Sequence, residues 1–132
     1  LSAPPDLPRP VASFGATATH EGEVFIYGGH SGTRHKYNRD EVHGDLYRWT
    51  PGLTAWERLP ADEPAQGASL LSLPGGVIRI GGMAARNAKE DKQELWSSET
   101  AALFLTQDKV WRALPKLPQR RSSHDSAVIG DT

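Results

Sequence analysis

The chain has 132 residues, 37% hydrophobic and 23% charged, and its 15 basic and 16 acidic side chains leave a net charge of −1. That balance gives no footprint for nucleic acid or an anionic membrane surface. The absence of cysteine excludes disulfides and thiolate metal sites and fits a cytoplasmic or an exported protein equally, so the compartment stays open. Thirteen Gly and ten Pro favour short elements and many turns, and no apolar run approaches the roughly 18 residues that span a bilayer.

In chain order, Leu7-Pro8-Arg9-Pro10 makes a stiff extended entry. Residues 11–19, rich in small and β-branched types, read as a first strand, and Gly22 serves the turn that follows. Residues 24–27 form a short apolar strand buried on both faces, ended by Gly28-Gly29. A polar stretch, 30–44, leads to an alternating strand over 45–49, a turn over 50–54 and a fourth strand over 55–59. Four short strands separated by turn chemistry describe one antiparallel sheet. The order then repeats: strands over 68–73 and 77–80, Gly81-Gly82, a long link over 83–98, and strands over 100–105 and 110–114. Within the link, 88–96 is expected to form a helical turn or two. A third unit opens at Leu117-Pro118 and carries one strand over 126–129. The chain opens at Leu1 without an initiator Met and reads as an excerpt of a longer sequence.

The repetition extends to individual residues. Gly29 returns as Gly82, an offset of 82 − 29 = 53, and Trp56-Glu57-Arg58-Leu59-Pro60 returns as Trp111-Arg112-Ala113-Leu114-Pro115, an offset of 111 − 56 = 55. In each unit an aromatic precedes the tryptophan by seven, Trp49 before Trp56 and Phe104 before Trp111. A repeat of this length is one supersecondary unit used several times, each burying its faces on its neighbours.

A strand ending in Gly-Gly, the seven-residue aromatic spacing and the Leu-Pro that follows resemble the kelch repeat over nearly the whole chain. The fit is imperfect at the earlier aromatic, where the family has Tyr-Asp-Pro and this chain has Trp49-Thr50-Pro51 and Phe104-Leu105-Thr106. The resemblance implies an all-β fold of kelch-type β-propeller blades, four-stranded antiparallel sheets in a partial ring. The whole of 1–132 is then one propeller segment: blade 1 at about 8–60, blade 2 at about 64–115 and the start of blade 3 at about 117–132. Gly28, Gly29, Trp49, Trp56, Gly81, Gly82, Phe104 and Trp111 are the structural repeat positions. Each Trp can bury on the order of 150–250 Å². Family rings close with six or seven blades, which implies a parent of roughly 300–350 residues at about 50 per blade. Two blades alone leave open sheet flanks and are expected to be marginally stable or prone to aggregate.

The resemblance also places binding groups on one face, made here by 30–44, 61–66, 83–98 and 115–121. His30, Arg34, His35, Tyr37, Arg86, Asn87, Arg120, Arg121 and His124 are the candidate binding residues. The histidines and acids of the first loop lack the fixed intervals of a metal site, so no metal is expected. Ser123-His124-Asp125 does not make a triad, because neighbours on a strand point to opposite sides. Arg121 and His124 instead belong near the channel mouth by resemblance, where Arg120-Arg121 offer a fork for a carboxylate. Arg79 stands inside an apolar strand where the first unit has Ile26, so it is expected to snorkel outward or pair with an acid of a neighbouring blade.

No residue is assigned a catalytic role and no cofactor is expected. The leading reading is a non-catalytic module that presents its loops to a protein or peptide. The alternative is part of a sugar-active kelch propeller, sialic acid mutarotase-like or galactose-oxidase-like, with a small carbohydrate as ligand.

Overall fold

The computed structural model describes residues 4–31 and 37–122. The first sheet holds β1 (Gly15–Ala18), β2 (Val24–Tyr27), β3 (Leu46–Trp49) and β4 (Glu57–Leu59), each antiparallel to the next and in chain order. The second begins with β5 (Ser69–Leu73) and β6 (Gly76–Ile80). A small hairpin of β7 (Met83–Ala85) and β8 (Leu95–Ser97) interrupts it before β9 (Ala101–Leu105) and β10 (Val110–Ala113) complete the order β5-β6-β9-β10. Among the described residues there is no helix.

Within the described residues the expected strands are found, with two corrections. Residues 11–19 do not form one strand. Ser13 adopts a left-handed φ of 57°, which breaks the pleat and leaves β1 to start at Gly15, while Ala12 exchanges two backbone bonds with His30. The helical turn expected over 88–96 is absent. Asn87 accepts the Glu94 amide on its Oδ1 and donates to Ala88 O, closing a tight reversal, and the residues on either side pair as β7 and β8. Pairing in β8 claims the backbone groups that the end of a helix would have needed, and upstream Asp91 N donates to Ala88 O in a single turn.

The core lies between the two sheets. Phe25 and Tyr27, on one face of β2 by the two-residue period, meet Leu70, Val77 and Phe104 of the second sheet, with Leu46, Leu59, Ala65 and Ala68 in the same cluster. Trp111 packs against it, its ring 5.6 Å from Tyr27 and 5.2 Å from Phe104. Its indole N–H donates to Pro60 O at 2.7 Å, and Trp56 donates likewise to Pro5 O at 2.8 Å. Both bonds span 51 residues, so each repeated tryptophan ties its outermost strand to the linker that entered its own sheet.

The double glycines hold the next linker. Gly29 N donates to Ala65 O (2.8 Å) and Gly82 N to Arg121 O (2.8 Å), while His43 N donates to Gly29 O and Ser98 N to Gly82 O. Gly29 and Gly82 have φ of 95° and 102°. A Cβ on Gly82 would sit 2.8 Å from Ala65 Cβ, and one on Gly29 would sit 2.8 Å from Ala12 O. Only glycine supplies both the conformation and the space. Gly82→Ala is therefore expected to cost about 1–3 kcal/mol, read as a lower denaturation midpoint of the intact protein with an unchanged slope.

Arg79, 3% exposed, pairs with an acid of the linker. Its Nε lies 2.7 Å from Asp62 Oδ2 and its Nη2 3.6 Å from Glu63 Oε2, with Nη1 donating to Thr100 Oγ1 at 3.0 Å. Tyr27 donates its hydroxyl to Glu63 O, and burial pushes its phenol well above the ordinary range. At the matching positions of the first sheet stand Ile26 (79 − 53) and Leu7 (62 − 55), an apolar solution to the same junction. Removing one partner of a buried pair is more costly than replacing both by apolar groups. Arg79→Ile alone should lose about 3 kcal/mol, and adding Asp62→Leu should recover part of it, as measured by chemical denaturation. Recovery no greater than the separate effects predict would show that the pair is not coupled.

Candidate binding face

The long loops leave the glycine ends of β2 and β6, so they share one end of the two sheets. The first loop reaches across to the second. Asn87, 6% exposed, donates to Tyr37 O at 2.9 Å, its own carbonyl accepts from Arg39 N, and Gln93 Oε1 accepts from Tyr37 N at 2.8 Å. Asn87 is thus a bolt between blades, with both side-chain polar atoms and its carbonyl used. Tyr37 stands edge-on to the His30 ring at 4.8 Å. His30 is buried, and its Nδ1 has no hydrogen-bond partner among the described residues. A cleft of about 290 Å³ opens beside this weave, lined by Tyr37, Asn38, Glu41, Asn87, Lys89, Asp91 and Gln93.

Two further candidates, Arg86 and Arg120, form a second cluster around Trp96. The guanidinium of Arg86 lies 4.3 Å from the centre of the Trp96 ring and that of Arg120 lies 5.2 Å from it. Arg120 also reaches Ser97 O at 3.5 Å, while Trp96 donates its indole N–H to Glu94 Oε1 at 3.4 Å. Trp96 remains 38% exposed. Arg121 fixes the backbone through Gly82 and Ser98, and its guanidinium turns to Gln119 Oε1 at 2.8 Å. It does not join Arg120 in a shared fork, because neighbours on an extended segment diverge. Arg34, His35 and His124 lie outside the described residues, as do Ser123 and Asp125 and the strand expected over 126–129.

Trp96 did not figure among the sequence candidates, although a signal existed. Trp49, Trp56 and Trp111 are repeat positions, whereas the position matching Trp96 holds Glu41 (96 − 55). Trp96 is thus a tryptophan outside the scaffold pattern, on the loop face and exposed.

Also unanticipated is the network at the entry of the first sheet. Arg9 Nη1 lies 2.9 Å from Asp45 Oδ2 and 2.7 Å from His43 Nδ1, and His43 Nε2 lies 2.7 Å from Ser31 Oγ. An arginine only donates, so His43 Nδ1 accepts and the ring proton sits on Nε2, donated to Ser31. This tautomer cannot take a proton from Ser31, and the pair is not poised for nucleophilic chemistry. Among the described residues, no three His, Asp or Glu side chains come together as a metal site.

Burial, and next the neighbouring Arg9, hold the His43 pKa below its ordinary 6.5. The folded state therefore binds this proton less readily than the unfolded chain does. The stabilisation from neutral His43 is complete above the ordinary value and is lost as the pH falls through the folded value. The melting temperature of the intact protein should therefore fall more steeply on acidification below about pH 6.5 than that of His43→Gln. Parallel pH profiles for the two proteins would refute this.

Two four-stranded antiparallel sheets stacked through an inter-sheet core, with a linker running from the outermost strand of one to the innermost strand of the next, are blades of a β-propeller. The solved structure of YjhT is similar, with a TM-score of 0.75 at 17% identity, covering 98% of this chain and 35% of that one. The chain thus spans about a third of that protein's length, and at this identity the likeness is one of fold. No family model and no curated protein matches the chain.

Proposed function

We propose that this chain belongs to a kelch-repeat propeller and serves as a non-catalytic recognition module, its loop face binding a protein or peptide that carries an acidic side chain. The observation that supports this reading is the exposed Trp96 flanked by Arg86 and Arg120. Tryptophan and arginine are the residue types that dominate interface energetics. Stacking on the indole fixes both guanidinium planes before a partner arrives, which lowers the ordering cost of binding. Arg86 forms no ion pair among the described residues, so its donors face solvent. Glu94 sits beside the indole and screens the patch from weakly acidic partners, which favours a carboxylate delivered together with an apolar neighbour.

The rigid weave of Tyr37 and Asn87 supports the same reading, since it holds the second loop at a set height above the sheet. On an array of peptides, the intact protein should retain glutamate-containing segments with an adjacent apolar residue over their glutamine counterparts. Trp96→Ala should weaken that binding by about 2 kcal/mol and Arg120→Ala by about 1 kcal/mol, with melting temperatures unchanged because both residues are exposed. Equal retention of the glutamine peptides, or unaltered binding by Trp96→Ala, would overturn the reading.

A further inference from the structure

At the opposite end of the strands from the loop face, a groove of about 620 Å³ runs between the two blades. Its first wall is the β1–β2 turn, with Thr19, His20, Glu21 and Glu23, and its second is the β5–β6 turn, with Leu73, Pro74, Gly75 and Gly76. Phe25 lines it as well. The groove is a built feature. Ser72 Oγ donates to Ala18 O at 2.9 Å across the two blades, Thr19 Oγ1 accepts from Glu23 N at 3.1 Å, and Thr106 Oγ1 donates to Gly75 O at 3.0 Å. The wall hydroxyls are therefore engaged in shaping the walls, and what remains to meet a ligand is charge, apolar surface and bare backbone.

The charge has one sign. The lining contains two glutamates and a histidine and neither lysine nor arginine. Glu23 is steadied by Arg48 at 3.9 Å and by the Thr50 hydroxyl at 3.4 Å, whereas Glu21 forms no ion pair among the described residues and is exposed. The loop face, by contrast, gathers Arg86, Arg120 and Arg121. No group of three His, Asp or Glu converges here on a metal-sized point among the described residues, so the cation the groove suits is spread over an organic side chain. Leu73 and Pro74 offer apolar surface for a methylene stem over the buried Phe25, and the exposed Gly75, beside which an added Cβ would meet nothing within 4 Å, lets an extended backbone approach closely.

We propose that this groove is a second binding site, for an extended segment of a partner protein that places an arginine between the blades with its guanidinium at Glu21. The site is independent of the acidic-ligand reading of the loop face. It would give the module two faces of opposite preference, one taking acidic segments and the other basic ones.

The test uses the intact protein, isotope-labelled for amide NMR, and blocked glycine-serine peptides that differ only in a central arginine, lysine, norleucine or glutamate. The arginine peptide should shift the amide signals of Gly22, Gly75 and Gly76 in a saturable way. Norleucine and glutamate peptides should bind at least about tenfold more weakly, and raised salt should weaken the arginine peptide. Glu21→Lys and, separately, Pro74→Lys should each reduce its affinity by about tenfold; both are exposed substitutions, so failure of one to fold leaves the other. Trp96→Ala should leave the binding unchanged. The proposal is overturned if the arginine peptide gives no saturable shifts at these glycines, if norleucine or glutamate peptides bind equally well, if both lysine variants bind as the wild type does, or if Trp96→Ala abolishes binding.

Discussion

The linker between the two sheets is hydrogen-bonded on both edges at consecutive residues. Ala65 accepts from Gly29 N and donates to His43 O of the first sheet, while Gln66 exchanges two bonds with Met83 of the second. One residue further on, Gly67 N donates to Ser13 O at 2.7 Å. The linker is therefore a strand-like strut shared by both blades, and their relative position is set by backbone geometry before any side chain packs. This explains why the double glycines recur. The strut has to pass within bonding distance of a left-handed backbone, and a side chain on that backbone would collide with it. Everything that packs across the junction, from the Tyr27–Trp111 contact to the Arg79–Asp62 pair, relies on that registration.

Given that frame, the side chains at the junction are free to differ. The second junction position carries a buried arginine with two acids and two hydroxyls, while the corresponding positions of the first sheet, Ile26 and Leu7, are apolar. A charged junction is seldom more stable than an apolar one of the same shape. It is selective, however, because an apolar blade docked against Arg79 would leave the guanidinium without a partner. The polar and the apolar junction of this chain thus differ in the neighbour that each accepts, although the repeated scaffold around them is nearly identical. Trp56 and Trp111 add stability without selectivity, since each donates to a backbone carbonyl that every linker possesses.

The scaffold was legible in the sequence because it is written twice: β2 was located to the residue, the other long strands to within one or two, and the glycine pairs as strand ends. The long strand expected over 11–19 failed for a local reason, the left-handed Ser13, which no propensity announces. The helical reading of 88–96 failed because its helix-compatible charges belong to an exposed reversal whose shape is set by Asn87, a contact across 50 residues to Tyr37. On the loop face, the resemblance and residue type singled out His30, Tyr37, Asn87, Arg86 and Arg120 as candidates. It did not reveal that they divide into a structural weave and an exposed stack, nor that Trp96 centres the stack. Pairings of that kind depend on which loop lies over which, and a single repeat period carries no information about its insertions.

The division between weave and stack also says where function can vary. Tyr37 and Asn87 join neighbouring loops through backbone atoms and a side-chain amide, so changing either disturbs both blades. Arg86, Trp96 and Arg120 are exposed, and apart from one another their side chains reach only Glu94 and the Ser97 carbonyl among the described residues, so their identities are less tied to the fold. On the far face the hydroxyls of Ser72, Thr19 and Thr106 are similarly committed to shape, while Glu21 is uncommitted. Each end of the strands thus carries the same arrangement: polar groups spent on holding the blades in register, and beside them charged groups with no structural partner to satisfy. Backbone struts that hold the two blades together leave both ends of the strands to such groups, which makes the uncommitted charges, rather than the repeated residues, the positions at which the proposed recognition would be set.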